Sequence, residues 1–345
     1  MATPALRLIR AALPGAYIAG LCKPAVQEIL SDLDALDELL PLRAAGVMGT
    51  KRAAQHLRPL RFDTALLLTN SFSTGLITRI AGIPRRIGFD RDGRGMLLTH
   101  RLRPKRRRDT PPYSTSTTNP AAWAPVPAVD YYLELAQALT AVTPTHAPAL
   151  ELAITTADRE RAEAVMQSAA ITPQHIARGL AILNPGGNDP AKRWPAERFA
   201  HLADHLAAPH SLTILINGAP NEADLVHDLA ARTNQARCIC LPDHGITLGA
   251  LKAIVAQCEL MVTNDTGPRH IAAAFNVPTV SLFGPTDHRW TTIPCAKEVI
   301  VLADPTLPAC EVANDHPERC AIEHIDLPRV VEACDQLLNA RAQQD

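Results

Sequence analysis

The sequence predicts an α/β protein of two parallel-sheet domains, and three observations carry that prediction. Short apolar runs alternate with helix-period stretches throughout the C-terminal half. A less regular version of the same alternation fills the N-terminal half. A Pro-bearing stretch at 143–150 separates the two and reads as a linker.

In the C-terminal half the strand-like runs fall at 180–183, 212–216, 236–241, 260–263, 279–283 and 299–302. Helix-period segments fill 195–206, 222–231, 248–257 and 268–275. Short β-rich runs joined by helices are the pattern of a parallel sheet with crossover connections. In the N-terminal half strands are expected at 16–21, 64–68 and 86–89, and helices at 4–13, 25–30, 51–60, 72–80 and 129–141. Residues 111–127 hold five Pro and five Ser/Thr in seventeen positions, which reads as a mobile loop within an insertion at 104–127. The expected domains are therefore 1–148 and 149–325, with a C-terminal helix at 326–345 packing back on the first. Two such domains imply a cleft between them, with ligands at the carboxyl ends of the strands.

The chain opens with Ala2-Thr3-Pro4-Ala5-Leu6, an N-cap residue followed by Pro at the first helical position. A helix thus precedes any strand. Either the first strand is absent, or the sequence begins downstream of the true start.

The chain has 345 residues, enough for two domains that each bury a core. A formal net charge of -1 gives no global reason to expect nucleic acid or an anionic membrane as partner. The eight cysteines are scattered and follow no secretory signal, so reduced thiols in the cytoplasm are expected. Cys238 and Cys240 alternate along a strand-like run and read as buried thiols. Cys310, His316 and Cys320 lack a paired Cys-x-x-Cys, so no metal site is expected there. No apolar run approaches the roughly 20 residues that span a bilayer.

Four loops carry the chemistry. Asn264-Asp265-Thr266-Gly267-Pro268-Arg269-His270 leaves a strand and opens a helix. Unpaired N–H groups and the macrodipole make that helix start suited to phosphate, and Gly267 permits close approach. The plain alternative is that Asp265 or Thr266 only caps the helix. Asn184-Pro185-Gly186-Gly187 follows the domain's first strand, with Lys192 just beyond to neutralise a diphosphate. The alternative there is an ordinary turn with an exposed Lys. Glu222, after Asn217-Gly218-Ala219-Pro220-Asn221, sits where an acidic side chain often bonds ribose hydroxyls, though it equally suits a first helical turn. Phe283-Gly284-Pro285-Thr286-Asp287 ends a fourth strand at the same sheet edge.

Together these motifs resemble glycosyltransferase family nine, the bacterial ADP-heptose:lipopolysaccharide heptosyltransferases, and most of all the heptosyltransferase II branch. The resemblance rests on Asn-Asp-Thr-Gly-Pro-x-His-x-Ala-Ala-Ala from Asn264, Phe-Gly-Pro-Thr-Asp from Phe283, Asn-Pro-Gly-Gly from Asn184 and Ala-Lys-Arg-Trp-Pro from Ala191. It extends to Arg86-Ile87-Gly88-Phe89, to the Cys-bearing stretch 310–320 and to the first residues. It implies the GT-B fold, two Rossmann-like domains with parallel sheets facing across a cleft and the donor held by the second. Inverting transfer of a heptose from ADP-heptose to the lipopolysaccharide inner core follows, with no cofactor and no metal. Carried over position by position, Asp265, Thr266, Gly267 and His270 would meet the heptose and diphosphate, together with Asn184, Gly186 and Gly187. Lys192 would face the phosphates and Glu222 the adenosine end. The family's proposed base is the Asp of a Gly-Asp pair just ahead of the Ala-Thr-Pro-Ala-Leu segment, a position that falls before Met1, so no catalytic residue is identified.

Arg101-Leu102-Arg103-Pro104-Lys105-Arg106-Arg107-Arg108 has six basic residues in eight. Arg101, Arg103, Lys105 and Arg106 are the candidates for the acceptor side, docking at the cytoplasmic face of the inner membrane. The alternative is a solvated loop. Three other functions stand beside the leading one: another sugar or acceptor within the family, a nucleotide-sugar-binding protein without turnover, and a nicotinamide dehydrogenase. The last is disfavoured because no Gly-x-Gly-x-x-Gly follows a strand.

Overall fold

The computed structural model describes residues 1–42, 46–116, 118–145 and 147–342. The chain divides into two compact units, Met1–Pro148 with Arg289–Thr292, and Ala149–His288 with Ile293–Asp345.

The N-terminal unit contains α1 (Thr3–Ala12), β1 (Ala19–Cys22), α2 (Pro24–Leu30), β2 (Glu38–Pro41), α3 (Gly46–Leu57), β3 (Thr64–Leu66), α4 (Phe72–Ile80), β4 (Arg85–Phe89), β5 (His100–Leu102) and α5 (Ala128–Thr140). Helix α1 starts on Thr3-Pro4 and buries Ala5 and Ile9. The Ser71 hydroxyl caps α4 by accepting from Thr74 N. Strands β1 and β2 pair in parallel as one small sheet, and β3, β4 and β5 form a second parallel sheet. One apolar cluster serves both: Leu21 and Leu40 pack with Leu57, Ala65 and Ile77. Strands β2 and β5 have no counterpart among the sequence expectations. β2 ends on Pro41 and β5 is His-Arg-Leu, compositions that do not read as strands.

Three buried arginines tie this unit together. Arg94, fully buried, donates to Phe89 O at 3.0 Å, to Asn70 Oδ1 at 3.0 Å and to Thr69 O. Arg86 donates to Leu97 O at 2.7 Å and to Ile83 O. Burial lowers the pKa of both guanidinium groups. Arg107 donates to Trp123 O at 3.3 Å and Thr118 O at 3.5 Å. The segment expected as a mobile insertion at 104–127 is folded around that third arginine. Arg106 and Trp123 form an antiparallel bridge, and Tyr113, Ser116 and Ala124 are buried. Its Pro/Ser/Thr composition suggested a loop, but guanidinium donors satisfy its carbonyls and allow burial. Thr117 lies outside the described residues.

The C-terminal unit contains α6 (Thr156–Ser168), α7 (Pro173–Arg178), β6 (Leu180–Asn184), α8 (Ala196–Ala207), β7 (Thr213–Ile216), α9 (Ala223–Ala231), β8 (Cys238–Cys240), α10 (Leu248–Val255), β9 (Leu260–Asn264), α11 (Gly267–Ala274), β10 (Thr279–Phe283), β11 (Glu298–Leu302) and α12 (Leu327–Ala342). All six strands are parallel, in the order β11-β10-β9-β6-β7-β8. Every residue of β6, β9 and β10 is buried, as a sheet covered on both faces requires. Helices α6 and α7 went unpredicted because their apolar faces are thin, yet both open with capping boxes, at Thr155/Asp158 and Thr172/His175. The buried Lys252 of α10 holds α6, reaching Asp158 Oδ2 and Ala153 O at 2.9 Å each.

Helix α12 packs within this unit, against α8, β10 and β11. Its apolar positions Val330, Ala333 and Cys334 join the core cluster of Leu202, Leu206 and Val301.

Candidate functional site

Counting from β6, the strand order of the C-terminal unit is 3-2-1-4-5-6. Connections from β6 and β9 therefore leave in opposite directions, and a crevice opens between their carboxyl ends. Two of the four loops singled out in the sequence, 184–187 and 264–267, border that point.

Asn264, fully buried at the end of β9, joins them. Its Nδ2 donates to Pro185 O at 2.9 Å and Gly186 O at 3.1 Å, and its Oδ1 accepts from Trp194 N at 3.3 Å. Trp194 is buried in turn and donates its indole N–H to Ile325 O at 2.8 Å. On the other side, Asn217 Nδ2 donates to Asn184 Oδ1 at 2.6 Å. The buried Nδ2 of Asn184 has no hydrogen-bond partner.

Glu222 is occupied with the loops themselves. Its carboxylate accepts from Gly187 N at 2.8 Å and Ala219 N at 2.9 Å, clamping the turns after β6 and β7. A Cβ on Gly186 would collide with that carboxylate, which explains the glycine. The arrangement makes Glu222 a brace for the site, beyond a favourable charge in a first helical turn.

At the mouth of the crevice Lys192 Nζ lies 3.6 Å from Asp265 Oδ2. Thr266 is the N-cap of α11 but makes no side-chain capping bond; its hydroxyl meets Thr263 Oγ1 at 3.0 Å. A Cβ on Gly267 would project into open space. Capping by Thr266 therefore does not account for the motif, and the helix start can take an anion.

Arg269 is not among the residues that the sequence motifs single out. It is fully buried, stacks 5.0 Å from the Phe283 ring centroid and grips Glu298 through Nε and Nη2, at 2.5 and 2.8 Å. Its Nη1 lies 3.9 Å from Asp265 Oδ1. The four-residue spacing of Asp265 and Arg269 was the available signal. His270 follows: burial pushes its imidazole down to about 3, and its buried Nδ1 has no hydrogen-bond partner. It is a neutral hydrogen-bonding group, not a cation, at any physiological pH.

In the fourth loop Asp287 ties the turn to the segment after β11. The buried Asp287 accepts from Ala313 N at 3.0 Å, and its own N–H donates to Asn314 Oδ1 at 3.1 Å. In the cysteine-bearing stretch His316 pairs with Glu311 at 3.1 Å while Cys320 is buried, and the described residues bring no metal-ligand group together there. Cys238 and Cys240 are half-buried, and burial raises both thiols.

In the N-terminal unit a cavity of about 280 Å³ opens at the carboxyl ends of β3 and β4, lined by Asn70, Arg91, Lys105, Trp123, Tyr131 and Trp290 among others. Arg91 stacks 5.0 Å from the Trp123 ring centroid, and its buried Nε has no hydrogen-bond partner. Burial raises the Glu134 carboxyl, against the pull of Lys105. The basic run is thus divided. Lys105 lines the cavity, and Arg101 and Arg103 are exposed. Arg106 lies 3.5 Å over Trp123 and Arg107 is buried, so these two hold the fold.

Comparison with known proteins shows the family and the fold. The profile described as glycosyltransferase family 9 (heptosyltransferase) matches residues 50–321. Lipopolysaccharide heptosyltransferase 2 of Escherichia coli (strain K12) is 28% identical over 294 residues, 83% of this chain and 79% of that protein. A glycosyl transferase family 9 structure from Veillonella parvula superposes with a TM-score of 0.80 at 22% identity, covering 98% of this chain and 93% of that one. The structure of Escherichia coli ADP-heptose lps heptosyltransferase II superposes with a TM-score of 0.74 at 23% identity, covering 99% and 95%. The architecture is GT-B.

Proposed function

The chain belongs to glycosyltransferase family 9, and from that premise we propose that it moves a heptose from ADP-heptose to the inner core of lipopolysaccharide, inverting the anomeric centre. The observation that carries the donor assignment is the pairing of Lys192 with Asp265 beside the open start of α11. Cleavage of the sugar–phosphate bond leaves negative charge on the departing ADP. On this reading Lys192 and the N–H groups of α11 offset that charge, and the transfer proceeds without a bound metal. Asp265 holds Lys192 in place and also offers a carboxylate to sugar hydroxyls, while Arg269, fixed by Glu298, positions Asp265. Neutral His270 bonds the sugar or a phosphate oxygen through its unpartnered Nδ1. Asn184, Gly186 and Gly187 form the wall on the other side, and Glu222 keeps that wall in register next to the adenosine.

The acceptor side of the reading rests on the N-terminal cavity. Arg91 and Lys105 suit an anionic sugar, and Trp123 suits its apolar face. Exposed Arg101 and Arg103 suit the anionic surface of the inner membrane, giving a cytoplasmic protein with peripheral contact.

ADP release from ADP-heptose, measured with lipopolysaccharide acceptors that lack the second heptose, tests the proposal. Release that requires such an acceptor supports it. Turnover with a different nucleotide sugar instead assigns another family activity, and tight ADP-heptose binding without ADP release leaves only a binding protein.

A further inference from the structure

We propose that His205, His210 and Asp335 form a binding site for a zinc-type divalent cation that fastens the C-terminal helix to the rest of its unit. His205 lies in the last turn of α8, His210 three residues beyond its end, and Asp335 on α12, which packs against α8. Both imidazole Nε2 atoms stand 2.9 Å from the same Asp335 Oδ1. The rings meet edge to face at 5.6 Å, and the three donor atoms lie within 4.8 Å of one another. Bonds of about 2.0–2.2 Å from a tetrahedral ion set its ligands about 3.3 Å apart, so each His–Asp pair opens by a few tenths of an ångström to admit an ion.

Two imidazoles and one carboxylate are the donors that borderline first-row cations prefer. The side chains are 30%, 23% and 35% exposed, which gives the ion an entry path and leaves its remaining positions to water. Helix α8 runs antiparallel to the sheet strands, so its C-terminal end is about 18 Å from the donor loops at its start. The cation therefore acts on stability, and the site stands independently of the proposed transfer reaction.

The test is a Co²⁺ titration of the full chain with its thiols reduced. One equivalent should bind with d–d bands and no thiolate-to-cobalt charge-transfer band, and Zn²⁺ should displace it and raise the unfolding midpoint. His205→Ala, His210→Ala and Asp335→Asn should each weaken binding by more than about 100-fold, since loss of an outer partner alone costs 10–100-fold. His201→Ala, exposed on the same helix, should change nothing. Absence of binding below millimolar Co²⁺, or a spectrum that survives His205→Ala, overturns the site. A thiolate band abolished by Cys240→Ser also overturns it, and assigns the ion to His227, Cys240 and Asp243, whose donors converge at a more exposed place.

Discussion

In the C-terminal unit β6 and β9 lie side by side in one six-stranded sheet, whereas in the N-terminal unit β1–β2 and β3–β5 are separate sheets. The continuous sheet sets Asn184 opposite Thr263, and that register brings the two loops beyond them within reach of the Asn264 amide. In the N-terminal unit a buried guanidinium adds to the strand pairing: β3 and β4 are paired in parallel, and Arg94 gathers Thr69, Asn70 and Phe89 at their carboxyl ends, around the cavity. A ladder fixes loop positions through backbone bonds common to every residue type. A buried arginine does so through one side chain whose desolvation opposes folding. The first arrangement gives a crevice set by backbone pairing; the second gives a cavity whose shape depends on a few residues.

The sharpest way to break this contrast is Lys192→Ala. Loss of a preorganised charge at the leaving group should lower kcat by about 100–1000-fold with the unfolding midpoint unchanged. Lys105→Ala should instead raise the acceptor KM about tenfold and leave ADP-heptose affinity alone, as for one lost charge-assisted contact. If Lys105→Ala abolished donor binding, the division of labour between the units would fail.

Asn264→Ala removes three buried hydrogen bonds at once and should destabilise the C-terminal unit by about 2–3 kcal/mol in denaturant unfolding. Hydrogen exchange tests the sheets directly. Amides of the two-stranded β1–β2 pair should open at a free energy about 2 kcal/mol or more below those of β6 and β9, because an isolated strand pair is marginal in water. Equal protection would mean that the arginine-tied unit is as rigid as the ladder.

The pH response follows from His270. Its folded pKa of about 3 lies below the ordinary value of 6.5, so the unfolded chain binds its proton first as pH falls. Stability is full above pH 6.5 and declines toward pH 3 by about 1.4 kcal/mol per pH unit, a slope that His270→Gln should remove. The smallest effect belongs to the exposed charges. Arg101→Ser and Arg103→Ser should each weaken binding to anionic vesicles by about 1 kcal/mol, roughly fivefold, and less at high salt.

Most of the C-terminal unit was legible because its strands are uniformly apolar and its loops carry Gly, Pro and Asn at each carboxyl end. The 279–283 strand was placed to the residue, and helix α4 at 72–80 was too. Strands β2 and β5 were hidden by composition, since parallel pairing, not propensity, makes Glu38–Pro41 and His100–Leu102 extended. The site divided the same way. Lys192 was named from its place in the loop, and Asp265 and His270 from the family resemblance. That Glu222 braces two turns, that Arg107 supports a Pro-rich segment, and that Arg269 stands behind Asp265 could not.

By itself, the amino-acid order determined the alternation of apolar runs and helices, the phosphate-suited helix start at Gly267 and the family. Those properties are local: they depend on neighbours within a few residues, and the chain carries them in any conformation. Tertiary structure alone decided the 3-2-1-4-5-6 strand order, the placing of α12 on its own unit and the split of the basic run into exposed arginines, the cavity-lining Lys105 and the buried Arg107. Each of these joins residues far apart in sequence, where the outcome turns on which buried polar group finds which partner, and no short segment specifies that.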